Sequence, residues 1–187
     1  MKLVWIFRNP VKRSFSNYLH AVKKGSELRS FKFCIENEEI RIQKDVFKGY
    51  LERSKYIKQV KRFLKFFDIS QMHFILFEDL IFNQQRVLSE TMKFLECEND
   101  LISIKLPHSN KTILPKYPLI RFGSVKLFGT NSLPTKAIHK LNLTLNKLSP
   151  NKKLQLDKNL EKDLRNYFLP FNKDLSKLTK LDLSIWS

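Results

Sequence analysis

At 187 residues, with 42% hydrophobic and 12% aromatic content, the chain is long enough to bury a core and too apolar to be disordered over most of its length. With 35 Lys and Arg against 18 Asp and Glu, its formal charge of +17 points to an anionic partner such as nucleic acid, a membrane surface, an acidic polysaccharide or a phosphorylated cofactor, or to lysines that only solvate helix faces. The glycines at 25, 49, 123 and 129 stand too far apart for a glycine-rich phosphate loop, and no apolar run reaches the ~18 residues of a membrane span.

Residues 2–7, KLVWIF, predict a short strand buried on both faces in a parallel sheet, with Arg8 at its carboxyl end. Asn9 suits an N-cap and Pro10 the first helical position, so a helix starts at once. Its apolar positions Val11, Phe15, Tyr18, Leu19 and Val22 share one face, and Gly25 ends it. Residues 26–49 read as a polar loop with short helical pieces. A stronger helix is predicted from about Leu51 to Phe67, with Ile57, Val60, Leu64 and Phe67 on its apolar face. Lys58, Lys61, Arg62 and Lys65 line its flank, and this basic stripe reads as a solvated face in preference to an anion groove.

Met72 to Phe77, MHFILF, reads as a second buried strand, followed by Glu78-Asp79-Leu80 and a helix carrying Val87, Leu88, Thr91, Phe94 and Leu95. This order of elements is that of a parallel α/β sheet with right-handed crossovers. Residues 100–135, with Pro107, Pro115, Pro118 and Pro134, predict extended loop with at most short helices. In the tail, Leu160, Leu164 and Tyr167 give a helix that Pro170 interrupts, and Asn172 caps a final one carrying Leu175, Leu178 and Leu181. No repeat or second domain is visible, so residues 1–187 read as one domain. The cysteines Cys34 and Cys97 build neither a disulfide framework nor a zinc site and suit a reduced compartment. With no signal peptide, the sequons at Asn110 and Asn142 read as chance and the expected location is cytoplasmic.

Ligands of open α/β sheets bind beyond the carboxyl ends of the strands, where Arg8 stands. Its planar fork can hold a phosphate through two parallel hydrogen bonds, and the helix opening at Asn9-Pro10 is expected to offer free N–H groups and a positive dipole end. Ser16 lies about two turns into that helix, with Arg13 one turn before it on the same face.

The segment Phe7-Arg-Asn-Pro-Val-Lys-Arg-Ser-Phe-Ser-Asn-Tyr18 resembles the 3′-phosphate-binding motif of sulfotransferases that use 3′-phosphoadenosine 5′-phosphosulfate (PAPS), particularly the bacterial and heparan-sulfate-like branch. His73-Phe-Ile-Leu-Phe-Glu-Asp-Leu80 is similar to the family's later strand with its Glu-Asp-Leu ending. Leu164-Arg-Asn-Tyr-Phe-Leu-Pro-Phe-Asn172, Leu175 and Trp186 resemble its closing helices. The resemblance implies a P-loop-NTPase-like three-layer sandwich with a parallel central sheet, with Arg8 and Ser16 on the 3′-phosphate and Lys111, in Asn110-Lys-Thr112, as an additional contact. It also implies PAPS as co-substrate, no metal, and sulfuryl transfer to a hydroxyl acceptor, for which the basic surface suits an acidic glycan.

Family members carry a strand and a P-loop-like segment upstream of this motif, and no such segment is read here. The expectation is therefore an N-terminally truncated fragment with little or no activity alone, in which no residue inherits the role of catalytic base. His20, His73, His108 and His139 read as structural or surface groups. Glu78 and Asp79 could serve a metal or acid/base chemistry, and the family role implies a structural cap for the following turn and helix. The alternative is a non-catalytic basic nucleic-acid-binding protein. It would need aromatics interleaved with the lysines, and the Phe residues fall mainly on faces that read as buried.

Overall fold

The computed structural model of the protein describes residues 1–97, 114–148 and 154–186. Two compact units are present, one formed by Met1–Arg13, Arg53–His108 and Lys162–Ser187, the other by Ser14–Glu52 and Ser109–Glu161.

In the first unit, β1 (Leu3–Phe7) and β2 (Met72–Leu76) pair in parallel, Leu3 opposite Met72 and Phe7 opposite Leu76. A parallel pair needs a crossover, and the expected helical segments lie between the two strands in sequence. The core gathers Phe7, Met72 and Leu76 from the sheet and Tyr56, Ile57 and Val60 from α4 (Tyr56–Phe63). Leu175 of α9 (Lys158–Thr179), Leu183 and Trp186 complete it. Side chains alternate across a strand, so β1 sends Leu3, Trp5 and Phe7 toward this core. Its other residues, Val4 and Ile6, are 41% and 52% exposed, which corrects the expectation of burial on both faces. On the second face of β2, His73 stacks on Phe94 of α6 (Gln84–Leu95) at 5.2 Å between ring centroids.

The helix expected from Leu51 to Phe67 is shorter at both ends. At its start a separate turn at Glu52–Ser54 precedes α4, and the backbone N–H groups of Leu51 and Glu52 donate to the buried carboxylate of Glu38 at 2.8 and 2.7 Å. At the other end the chain tightens past Phe63 into bonds of the three-residue type, such as Phe66 N–H to Phe63 O at 2.9 Å. That turn leaves Phe66 78% exposed beside Lys65, and Phe47 and Phe82 are also strongly exposed, so the expected burial of the phenylalanines fails at these positions. β2 ends into α5 (Phe77–Phe82). Pro170 does not interrupt the tail: α9 is continuous through it, because Leu164, Phe168 and Leu175 form one buried stripe whose packing outweighs the lost backbone bond. Asn172 is therefore interior to a helix instead of capping a new one.

The second unit holds the body of α1 (Pro10–Lys24), with α2 (Phe31–Glu36) and α3 (Glu38–Lys44), the short helical pieces expected in the 26–49 loop. Gly25 ends α1 at φ +75°, and a Cβ there would lie 2.9 Å from Cγ of Arg121 and 3.0 Å from its carbonyl oxygen. Gly25→Ala is expected to cost about 2 kcal/mol of unfolding free energy, measured by urea denaturation. The segment expected to be mostly extended instead forms α7 (Pro118–Phe128), and α8 (Leu133–Leu148) follows. Prolines that look like breakers are here helix starters: Pro118 and Pro134 fall in first turns, where a missing N–H costs nothing. Asn142 is buried in α8, where its side chain accepts from the Tyr117 N–H at 2.7 Å and donates to the Tyr117 carbonyl at 2.9 Å, so it is no sugar acceptor.

Glu27 organises the loop of this unit. Its buried carboxylate accepts from the backbone N–H groups of Leu28 and Arg29, both at 3.1 Å, and from the Tyr50 hydroxyl at 3.2 Å. It also pairs with Arg41 and, at 3.4 Å, with Lys48. Burial alone would raise its pKa, but the hydrogen bond from Arg29 and the charges of Lys48 and Arg41 outweigh it, and the net shift is downward.

Candidate functional site

The turn between β1 and α1 is built almost entirely from satisfied backbone groups. Asn9 caps α1 as its sequence position predicts, its Oδ1 accepting from the N–H groups of Val11 at 3.0 Å and Lys12 at 3.1 Å. Pro10 has no N–H, and the Arg13 N–H bonds the Asn9 carbonyl at 2.9 Å. The Asn9 N–H donates to Oε1 of Glu78 at 3.1 Å, and the Arg8 N–H donates to the Tyr56 hydroxyl at 3.3 Å. The expectation of free N–H groups at this helix opening is thus wrong: the cap and two distant side chains consume them. Any anion held here must be held by side chains, assisted by the helix dipole.

Those side chains are cationic and partly immobilised. Arg8 is half-buried, with its guanidinium 5.1 Å from the centroid of the Phe77 ring. Arg13 donates from Nη1 to the Ser54 hydroxyl at 3.0 Å and lies 5.7 Å from the Tyr56 ring centroid. Burial lowers the pKa of Arg13, Tyr56 opposes that shift and Arg53 adds to it, yet an arginine remains charged. Among the described residues neither Arg8 nor Arg13 is paired with a carboxylate. A buried or half-buried guanidinium without a counter-ion is a natural receptor for phosphate, so the donor set fits a phosphorylated nucleotide. Ser16 is half-buried on α1, whereas its neighbour Ser14 is fully buried. Lys111 and His108 lie outside the described residues.

Glu78 holds the turn in place. Besides the Asn9 N–H it accepts from Nε1 of Trp186 at 3.3 Å, tying the end of β2 to the β1–α1 turn and to the C-terminal segment. The expected cap of the following turn and helix is not what Glu78 makes: its partners are these distant groups. Asp79 makes a half-exposed ion pair with Arg86 at 3.5 Å, which is worth little. His73 and His139 each bury one ring nitrogen without a hydrogen-bond partner, and burial lowers the pKa of both; His20 is exposed, with its pKa lowered by partial burial and by Lys24 and Lys23. None of the three has a carboxylate hydrogen-bonded to its ring among the described residues, although the charge of Glu90 partly opposes the downward shift of His73. No group of three or more His, Cys, Asp or Glu among the described residues could hold a metal, and no described helix is long and apolar enough to cross a membrane.

Tyr56 and Ser54 are the residues that sequence reading missed. The only local signal was a polar and aromatic pair, Ser54-Lys-Tyr56, opening a helix whose later turns follow an apolar repeat. The partner of Tyr56 lies 48 residues away, and no local pattern encodes it.

Comparison with known proteins places the chain in a family. The Sulfotransferase domain family matches residues 1–168. The human heparan sulfate glucosamine 3-O-sulfotransferase 3B1 is 25% identical over 181 residues, covering 97% of this chain and 42% of the relative. A bifunctional heparan sulfate N-deacetylase/N-sulfotransferase of Drosophila melanogaster is 27% identical over 184 residues, covering 96% of this chain and 16% of the relative. The chain thus spans less than half the length of these curated relatives. The crystal structure of a sulfotransferase from Alicyclobacillus acidocaldarius superposes with a TM-score of 0.67 at 24% identity, covering 99% of this chain and 57% of that one, so the two share a fold. With the family matched over most of its length, this chain belongs to the sulfotransferase domain family.

Proposed function

We propose that this protein serves PAPS-dependent sulfuryl transfer to a hydroxyl of an acidic glycan, with Arg8 and Ser16 gripping the nucleotide's 3′-phosphate and Lys111 adding a contact. The carrying observation is the Arg8 guanidinium at the carboxyl end of β1, without a carboxylate partner among the described residues and beside a turn whose backbone donors are already used. Family membership supports the reaction class, the names of the relatives support a glycan acceptor, and the charge of +17 suits a polyanion. In the reaction the acceptor oxygen bonds to sulfur as the bond from sulfur to the 5′-phosphate oxygen breaks, adenosine 3′,5′-bisphosphate leaves with the electron pair, and the acceptor proton passes to a base. This chain's residues hold the leaving nucleotide, so that binding energy far from sulfur orients the reacting end.

The cytoplasm is the proposed compartment, supported by two free thiols: Cys97, and Cys34, whose pKa burial and the Glu27 charge push up to about 12. Titration calorimetry of the wild-type protein, repeated at several salt concentrations, tests the ligand. Adenosine 3′,5′-bisphosphate is expected to bind about tenfold or more tightly than adenosine 5′-monophosphate, and to lose less affinity with salt than DNA or RNA oligonucleotides. Equal loss for all ligands with no preference for the bisphosphate would sink the reading and favour the nucleic-acid alternative.

A further inference from the structure

The Tyr56 phenol both accepts from the Arg8 N–H, at 3.3 Å, and donates to the Arg8 carbonyl, at 3.0 Å. Arg8 is the first residue past the end of β1, where the ladder to β2 stops and the backbone needs new partners. A single side chain from the first turn of α4 supplies both, and it is itself held. Its ring is buried against Phe7 at 4.8 Å between centroids and against Trp186 at 6.3 Å, and the guanidinium of Arg13 lies over it. Arg13 in turn is anchored on Ser54, two residues before Tyr56. Burial raises the pKa of the phenol, so it keeps its donor proton at working pH. The backbone from which the Arg8 side chain departs is therefore clamped on both of its polar groups, while the adjacent Asn9 N–H is clamped by Glu78.

We propose that Tyr56, steadied by Arg13 and Ser54, is a positioning residue for Arg8 that sets the affinity of this protein for the 3′-phosphate of its nucleotide. The proposal rests on the nucleotide reading given above. A guanidinium fork rewards fixed geometry, because both of its hydrogen bonds form only when its base is held; clamping the backbone before binding removes ordering cost at the moment of binding. A phenol that merely filled the core would affect all ligands alike.

Tyr56→Phe removes the hydroxyl and keeps the ring. It is expected to weaken adenosine 3′,5′-bisphosphate binding about tenfold while changing adenosine 5′-monophosphate binding less than about twofold, both by calorimetry well below the melting temperature of the variant. Ser54→Ala, which loosens Arg13 and leaves the phenol in place, is expected to lower the same bisphosphate-to-monophosphate ratio about threefold, and it decides the matter should Tyr56→Phe not fold. An unchanged ratio, whether because both ligands bind as in wild type or because both weaken equally, overturns the proposal. If the wild-type protein shows no preference for the bisphosphate, the nucleotide reading fails first and this assignment with it. If the wild type shows the preference and the variants retain it, only the role of Tyr56 is refuted.

Discussion

Replacing Arg8 with alanine is expected to lower the affinity for adenosine 3′,5′-bisphosphate about 100-fold, near 2.7 kcal/mol, with the affinity for adenosine 5′-monophosphate changed by no more than about threefold. The size follows from the turn. With the N–H groups of residues 8, 9, 11, 12 and 13 all bonded within the protein, no backbone donor remains to take over from the lost guanidinium. Arg8→Lys should recover only part of the loss, because an ammonium is a point charge and cannot reproduce two parallel bonds. The fold should tolerate the change: the described contact of the Arg8 side chain is with the Phe77 ring, and its structural bonds are made by the main chain. A bisphosphate affinity unaltered by Arg8→Ala in a folded variant would remove Arg8 from the site.

The largest effect on stability is expected at Glu27. Glu27→Gln keeps the shape but leaves Arg41 and Lys48, whose side chains are only 17% and 21% exposed, without their counter-charge, and it should cost about 3 kcal/mol in urea unfolding. The pH dependence has a definite sign. The folded pKa of Glu27 lies below its ordinary value of 4.5, so the folded state favours the ionised form. Its contribution is present above about pH 4.5 and is lost as the pH falls through the lower folded value. The stability difference between wild type and Glu27→Gln should therefore be full near pH 7 and shrink on the acid side of pH 4.5, measured by melting temperature across that range. A difference that stays constant down to pH 3 would mean that the carboxylate charge is not what holds the loop.

The missed residues share a cause with the missed elements. Pro118 and Pro134 look like breakers in the sequence because a proline interrupts a helix from the inside but starts one from its first turn, and only the neighbouring chain decides which position it takes. At Pro170 the local rule fails outright, since burial of Leu164, Phe168 and Leu175 along one stripe outweighs one absent hydrogen bond. Exposure departs from expectation for the same kind of reason. Val4 and Ile6 belong to a run that looks suited to a fully buried strand, yet only one face of β1 is covered among the described residues.

By itself the sequence determined the strand, cap and helix that carry Arg8 and Ser16, the two apolar strands near residues 2–7 and 72–77, and the break at Gly25. Each rests on chemistry confined to a few neighbouring residues: an asparagine that caps, a proline that fits a first turn, apolar runs of strand length, a glycine free to take positive φ. The tertiary structure alone decided that the helix opening has no N–H to spare, that Glu78 and Tyr56 are what occupy it, and that Glu27 gathers two cations and a tyrosine. A hydrogen bond across 48 or 69 residues is selected by how whole elements pack, and packing is a property of the folded chain that no short window of sequence contains.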